Sequence, residues 1–171
     1  TIVNTMMLGL AQLIFAFPVP VVFALLLNQL PGKYFKKAVQ TISFAPHFIS
    51  VVVLVSMLNI MLAPKSGFVN QLIVAFGGKP VFFTSRSEYF RPLYVLSGIW
   101  QSMGYSAIVY ISALTGVSPD LHEAAVVDGA SKMQRIWNID IPSIMPTVII
   151  MLILQVGKLF STSYELSLIH I

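Results

Sequence analysis

One short segment of this sequence concentrates the side chains that could bind another molecule. Residues 115–142 hold four of the six acidic residues. Ser118-Pro119-Asp120 predicts a helix start, because serine caps free N–H groups, proline suits the first turn and an acid complements the helix dipole. Asp128-Gly129 predicts its end, and Ser131 can cap a second short helix through Trp137 toward Ile141-Pro142. We therefore predict a helix–turn–helix elbow with polar, water-compatible chemistry.

Other patterns that could do chemistry are missing from the sequence. The 171 residues contain no cysteine and only three scattered histidines, so no thiolate site and no His-Glu-x-x-His motif is present. A glycine-rich phosphate loop ending in Gly-Lys-Ser/Thr is also missing. We expect no catalytic residue, metal site or cofactor in this chain.

The elements that position the elbow are expected to lie in a lipid bilayer. Hydrophobic residues make up 57% of the chain, charged residues only 9%, and the mean hydropathy is +0.86. A soluble domain has roughly 25% charged residues, and a folded chain this apolar would expose patches larger than monomers tolerate. The net charge of +4 is spread over short connectors, which argues against a nucleic-acid partner.

We predict one all-α transmembrane domain, because a helix needs about 20 apolar residues to cross the hydrocarbon core. The predicted spans are residues 3–30, 38–62, 92–114 and 143–157. Residues 64–91 are predicted to form an external loop with one interfacial helix, and residues 115–142 a cytoplasmic loop. Pro18 and Pro20 predict a kink in the first span.

The elbow resembles the "EAA" loop of binding-protein-dependent ABC importer permeases. Glu-Ala-Ala-x-x-Asp-Gly-Ala at 123–130, the later Ile139 and Ile141-Pro142, and Pro146 all match that pattern. Trp100-Gln101 with Gly104 is similar to the carbohydrate-uptake branch. Ile141 stands where many members have leucine, and the resemblance extends to about Glu165.

This resemblance implies a polytopic helical bundle of the type I ABC importer (MetI-like) fold in the bacterial inner membrane. It implies a sugar or oligosaccharide substrate, a separate ATPase subunit docked on the elbow, a second permease subunit and an extracytoplasmic solute-binding protein. The ATPase-coupling residues that it implies are Glu123, Ala124, Ala125, Asp128, Gly129, Ala130, Ile139, Ile141 and Pro142. Family members usually have six spans, so we expect this chain, which begins at Thr1, to be a piece lacking one span at each end.

A second candidate site lies inside the third predicted span. Trp100, Gln101, Tyr105 and Tyr110 could line a translocation path, because aromatic faces and amides bind sugars, or they could simply pack against other helices. Gln101 and Tyr105 share a helical face at i, i+4. His47 is the ionisable group inside a span, and we expect a neutral imidazole that binds a carbonyl freed by Pro46 rather than a proton relay.

Two other function classes stay open at the level of sequence. An ion-coupled carrier or channel subunit needs ionisable residues inside its spans, and apart from His47 these spans have none. A membrane-embedded enzyme needs a cluster of His, Asp and Glu, which the scattered histidines do not supply. Both absences favour energy delivered by another subunit through the elbow.

Overall fold

The computed structural model describes residues 2–83 and 87–169, and every regular element within them is helical. The predicted all-α class is therefore confirmed. In chain order the α-helices are α1 Ile2–Ala11, α2 Pro18–Asn28, α3 Lys33–Phe44, α4 Val51–Met61, α5 Phe68–Ala75, α6 Ser87–Thr115, α7 Pro119–Val127, α8 Lys132–Arg135 and α9 Ile141–Ile169. Three tighter or wider turns join some of them: a π turn at Gln12–Ala16, a 3₁₀ turn at Ala45–Phe48 and a π turn at Ile136–Asp140.

The first membrane segment contains a local break just before its prolines. The N–H of Phe17 donates to the carbonyl of Gln12 at 3.2 Å, which widens the turn, and Pro18 then begins α2. A proline has no N–H to donate, so the first turn of a helix accommodates it. The stretch from Met7 to Asn28 is 22 residues long, with a mean hydropathy of 2.4, enough to cross a bilayer.

Helix α6 lies at the centre of the described fold. It packs against α2 and α9, and further contacts reach α1 and α3. The core between these helices contains Ala24, Leu25, Leu27, Ala107, Tyr110, Ile111, Leu114 and Ile144. Small residues at this contact let the helix backbones approach closely, as membrane helices require.

The second predicted span, residues 38–62, does not form one straight helix. The 3₁₀ turn follows α3 at Pro46, and the two helical stretches Lys33–Phe48 and Val51–Met61 meet at an angle of 99°. A new helix then begins at Ser50, whose side chain caps the N–H of Val53 at 3.3 Å. The sequence predicted the interruption at Pro46-His47 but not the size of the bend.

The loop after α4 contains a short helix, α5, in the range where an interfacial helix was predicted. Asn70 on this helix is buried, and its amide donates to the carbonyls of Leu62 and Val81 at 3.1 and 3.0 Å. Its oxygen accepts the N–H of Val81 at 2.7 Å. One amide therefore closes the loop on itself; residues 84–86 of the loop lie outside the described residues.

The remaining predicted spans are shorter than the helices that contain them. Residues 92–114 lie within the 29 residues of α6, and residues 143–157 lie within the 29 residues of α9. Among the described residues, two helical stretches are long and apolar enough to cross a membrane, Met7–Asn28 and Lys132–Gly157. The bent pair of α3 and α4 is a third candidate if its two helices together form one span. Helix α6 is not among them, although it packs against several other helices and exposes large apolar side chains such as Leu96.

Candidate coupling and translocation sites

The predicted elbow is present, and local hydrogen bonds build its first helix. The Ser118 side chain accepts the N–H of Asp120 at 3.3 Å, and Pro119 is the first residue of α7. Asp120 lies in the first turn, where a negative charge is favourable. The chain thus turns out of α6 and starts a new helix within a few residues.

The turn after α7 depends on Gly129. Its φ of +79° lies in the left-handed region, which costs a side chain roughly 1–2 kcal/mol but costs glycine little. The N–H of Ala130 donates to the carbonyl of Ala125 at 2.9 Å, and the N–H of Gly129 donates to that of Val126 at 3.0 Å. These two bonds satisfy carbonyls that the helix end leaves free.

The second half of the elbow runs straight into a membrane helix. Ser131 and Gln134 form a reciprocal cap, with bonds of 3.3 and 2.7 Å, which confirms that Ser131 starts a short helix. This helix, α8, was expected to run through Trp137 toward Ile141-Pro142. The chain is helical over that range, with a change of hydrogen-bonding pattern: after Arg135 the π turn leads without a gap into α9, whose second residue is Pro142.

That π turn places the last residues of the predicted motif at the base of α9. Pro142 has no N–H to donate into the π turn that precedes it. The Ser143 hydroxyl donates to the carbonyl of Ile139 at 2.6 Å. Ile139 and Ile141 thus belong to the junction between the elbow and the membrane helix.

The outer surface of the elbow is open and partly apolar. Glu123, Ala124 and Asp128 are exposed, and α7 contains no buried residue. Val127 is 86% exposed and Trp137 63% exposed. Large apolar groups exposed outside the predicted spans make this surface a candidate docking site.

The structure adds one residue that sequence reasoning did not select. Asp140, in the π turn, is fully buried at 0% exposure. Gln29 at the end of α2 donates to its Oδ2 at 3.0 Å, and Nε2 of His122 on α7 lies 3.3 Å from its Oδ1. The available signal was an acid flanked by two isoleucines at the start of a span, since a charge placed there is costly unless it has partners.

The residues expected to line a path lie on different sides of α6. Gln101 donates to the carbonyl of Ile49 at 2.7 Å, and the Tyr105 ring stacks on His47 with centroids 3.9 Å apart. Both therefore face the bend between α3 and α4, as their i, i+4 spacing predicts. Trp100 instead lies beside an apolar cleft of about 370 Å³ between α4 and α6.

In this region Tyr110 fits the packing alternative, and the surroundings of His47 differ from the expectation. Tyr110 is 2% exposed and belongs to the helix core, where it packs against α2 and α9 residues. The His47 ring stacks on Tyr105 and, within the described residues, its side chain makes no hydrogen bond to a carbonyl. The prediction of an imidazole–carbonyl bond was therefore wrong. The 3₁₀ turn at Pro46 directs the His47 ring toward α6 instead.

Comparisons with known proteins agree with this geometry. Residues 1–170 match the family described as "Binding-protein-dependent transport system inner membrane component". The chain is 43% identical over 162 residues to the polygalacturonan/rhamnogalacturonan transport system permease protein YteP of Bacillus subtilis (strain 168), covering 95% of this chain and 50% of that protein. Protein LplB of the same organism is 37% identical over 162 residues, covering 95% of this chain and 51% of LplB.

A solved structure gives the same result. The crystal structure of a bacterial ABC transporter involved in the import of the acidic polysaccharide alginate superposes with a TM-score of 0.90 at 39% identity, covering 96% of this chain and 57% of that one. The chain thus spans about half the length of the relatives that it matches. From the match over residues 1–170, the chain belongs to the family of binding-protein-dependent transport system inner membrane components.

Proposed function

We propose that this chain is part of the permease of an ATP-driven importer for sugars or oligosaccharides. The observation that carries the proposal is the exposed elbow between α6 and α9, with the Glu-Ala-Ala-x-x-Asp-Gly-Ala sequence on its surface. The names of the relatives support the substrate class, since they refer to the transport of polygalacturonan, rhamnogalacturonan and alginate. The family makes the chain a transport subunit, and ATP hydrolysis belongs to a separate chain.

The elbow is the proposed docking site for the ATPase subunit. A Cβ atom added to Gly129 would have no atom of the described chain within 4 Å, so the space around this residue is open. Val127 is exposed beside it and would be buried by a partner, while Glu123 can pair with a basic group there. Ala124, Ala125 and Ala130 keep the surface low enough for a second backbone to approach.

The remaining partners follow from the same proposal. A solved relative was crystallised with an alginate pentasaccharide-bound periplasmic protein, which supports a solute-binding protein on the outer side. A second permease subunit would complete the path, and lipid would cover the apolar faces of the outer helices. Under this proposal the loop at 64–91 is external and the elbow at 115–142 is cytoplasmic.

Substitution at Gly129 tests the docking role. We expect Gly129→Asp in the full-length permease to reduce solute uptake per ATP hydrolysed, because a charged side chain enters the docking surface. The matched control is Gly77→Asp, since Gly77 also has a positive φ, +83°, and open space around it, but lies in the other loop. Uptake, ATPase activity and co-purified ATPase are measured in proteoliposomes; equal coupling in both variants would contradict docking at the elbow.

For the translocation path, the proposal keeps Trp100, Gln101 and Tyr105 and leaves out the buried Tyr110. Tyr105 stays 48% exposed although His47 covers part of its ring, so a sugar could reach the remaining surface. We expect Tyr105→Ala to raise the solute concentration needed for half-maximal transport, while Val109→Ala, on the same exposed helix surface, leaves it unchanged. Unchanged transport in Tyr105→Ala would remove this residue from the path.

A further inference from the structure

Asp140 lies where three segments of the chain meet. It belongs to the π turn that starts α9, and its two carboxylate oxygens face different elements. Oδ2 accepts a hydrogen bond from the side-chain amide of Gln29, the residue that follows α2. Oδ1 lies against His122 on α7. One buried carboxylate therefore links a membrane helix, the elbow helix and the base of a second membrane helix.

This link matters because little else holds α7. The helix contains no buried residue, and its caps are local bonds to its own turns. His122 is one of the less exposed side chains of α7, with 24% of its side chain accessible, and it contacts Asp140 in the π turn that precedes α9. Besides the connecting backbone, this contact offers a direct route from the exposed elbow to the membrane helices.

The two arms of the link differ in quality. The Gln29 arm is a hydrogen bond of 3.0 Å across 111 residues of sequence. The His122 arm has an ion-pair distance of 3.3 Å, but Oδ1 accepts no hydrogen bond from any described residue. His122 is thus the weaker of the two contacts, while the charge of Arg135 on the elbow also acts on the Asp140 carboxylate.

We propose that Asp140 is a positioning residue that makes the elbow helix move together with α2 and α9, through His122 on one side and Gln29 on the other. This inference rests on the proposed coupling function of the elbow. It goes beyond it by naming the internal contact through which docking is transmitted. A buried charge that is paired across elements is a weak source of stability, so a role in fixing their relative position fits it better.

The test uses the full-length permease assembled with its ATPase, second permease and binding protein in proteoliposomes. We expect His122→Ala to lower the solute transported per ATP by about tenfold, within the range of coupling changes seen for such contacts. His122→Gln, which keeps a donor facing Asp140, should recover most of the loss. A merely structural role predicts lower yield or melting temperature without a change in this ratio.

The second arm gives an independent check. Gln29→Leu should lower the same ratio, and the double variant with His122→Ala should be no worse than the worse single variant, since both changes break one link. Normal ratios in His122→Ala and Gln29→Leu, with the ATPase still bound, would overturn the inference. If the unmodified permease did not bind an ATPase subunit at all, that result would instead overturn the proposed function itself.

A spectroscopic measurement reports on the link directly. Spin labels at Val127→Cys on α7 and Ile149→Cys on α9, in a cysteine-free background, both occupy exposed positions. We expect a narrow distance distribution in the parent and a broad one after His122→Ala or Asp140→Asn. Equal widths in all three proteins would show that Asp140 does not hold the elbow.

Discussion

The elbow and the bend between α3 and α4 both interrupt helices, but different interactions hold them. The elbow is closed by bonds between residues two to five apart, such as the cap at Ser118 and the turn at Gly129. The bend is held from outside by α6, through Gln101 on Ile49 and Tyr105 on His47. A short stretch of sequence therefore determines the shape of the elbow. The shape of the bend depends on a partner helix about 50 residues away in sequence.

The two regions also differ in how closely other parts of the chain pack around their small residues. Gly129 has open space around it, whereas the backbone of Gly104 on α6 packs directly against Ser43 of α3. The small residue of the elbow is therefore left uncovered by the rest of the described chain. At the bend, the small residue Gly104 already allows α6 and α3 to pack closely.

The largest expected effect comes from Gly104. We expect Gly104→Ala to destabilise the fold by about 3 kcal/mol or more, because even one methyl group would overlap the Ser43 carbonyl and overpacking strains both backbones. Gly98→Ala, on the same helix with no atom within 4 Å of the added carbon, is the matched control. Thermal unfolding in detergent measures both; equal melting temperatures would show that α3 does not pack against Gly104.

Gln101 should give the next largest effect. Gln101→Leu leaves the part-buried Ile49 carbonyl without its side-chain partner, which should cost about 1.5 kcal/mol, in the lower part of the range for a buried group that loses its bond. Ser102→Ala removes a bond of 2.7 Å that stays within α6, to the carbonyl of Gly98, and should cost less. We expect a cysteine at Ser50 to become more reactive to labelling in Gln101→Leu only. Similar labelling in the two variants would mean that the bend holds its angle without α6.

The same contrast explains what the sequence could predict. Ser118, Asp128-Gly129 and Ser131 act on neighbours a few residues away, so the elbow's start, stop and second cap followed from their types. The 99° bend could not be predicted, because it needs the position of α6 as well as Pro46. Asp140 was missed for a similar reason: its partners Gln29 and His122 are distant in sequence and meet only in the fold.

The membrane-span boundaries stay a prediction, because a helix can extend beyond the part of it that crosses the bilayer. The prediction ended the last span at Gly157 and began it at Ser143, where composition changes, yet α9 runs from Ile141 to Ile169. Backbone hydrogen bonding within a helix continues through a glycine or a charged residue, so composition marks where lipid contact would change and not where the helix ends. Tyr110 shows the same limit, since an aromatic residue in a span can face the core as well as a path.

A smaller effect is expected at Gly129 when only the backbone is strained. Gly129→Ala should cost roughly 1 kcal/mol, because alanine disfavours a φ of +79° while the added methyl meets no atom within 4 Å. Gly129→Asn should cost less, since asparagine tolerates the left-handed region. Thermal unfolding of the isolated permease tests this, and a large loss in Gly129→Asn would reveal a packing contact that the open elbow does not show.

The smallest effect is expected at Ser118. Its cap bond to Asp120 is 3.3 Å long and exposed, so Ser118→Ala should cost about 0.5 kcal/mol, the low end for capping residues. The loss should stay local: amide hydrogen exchange should rise in the first turn of α7 and not at the bend. Ser118→Asp restores an acceptor and should restore protection. If exchange rose equally at both regions in Ser118→Ala, the elbow would not be the locally stabilised unit that its hydrogen bonds describe.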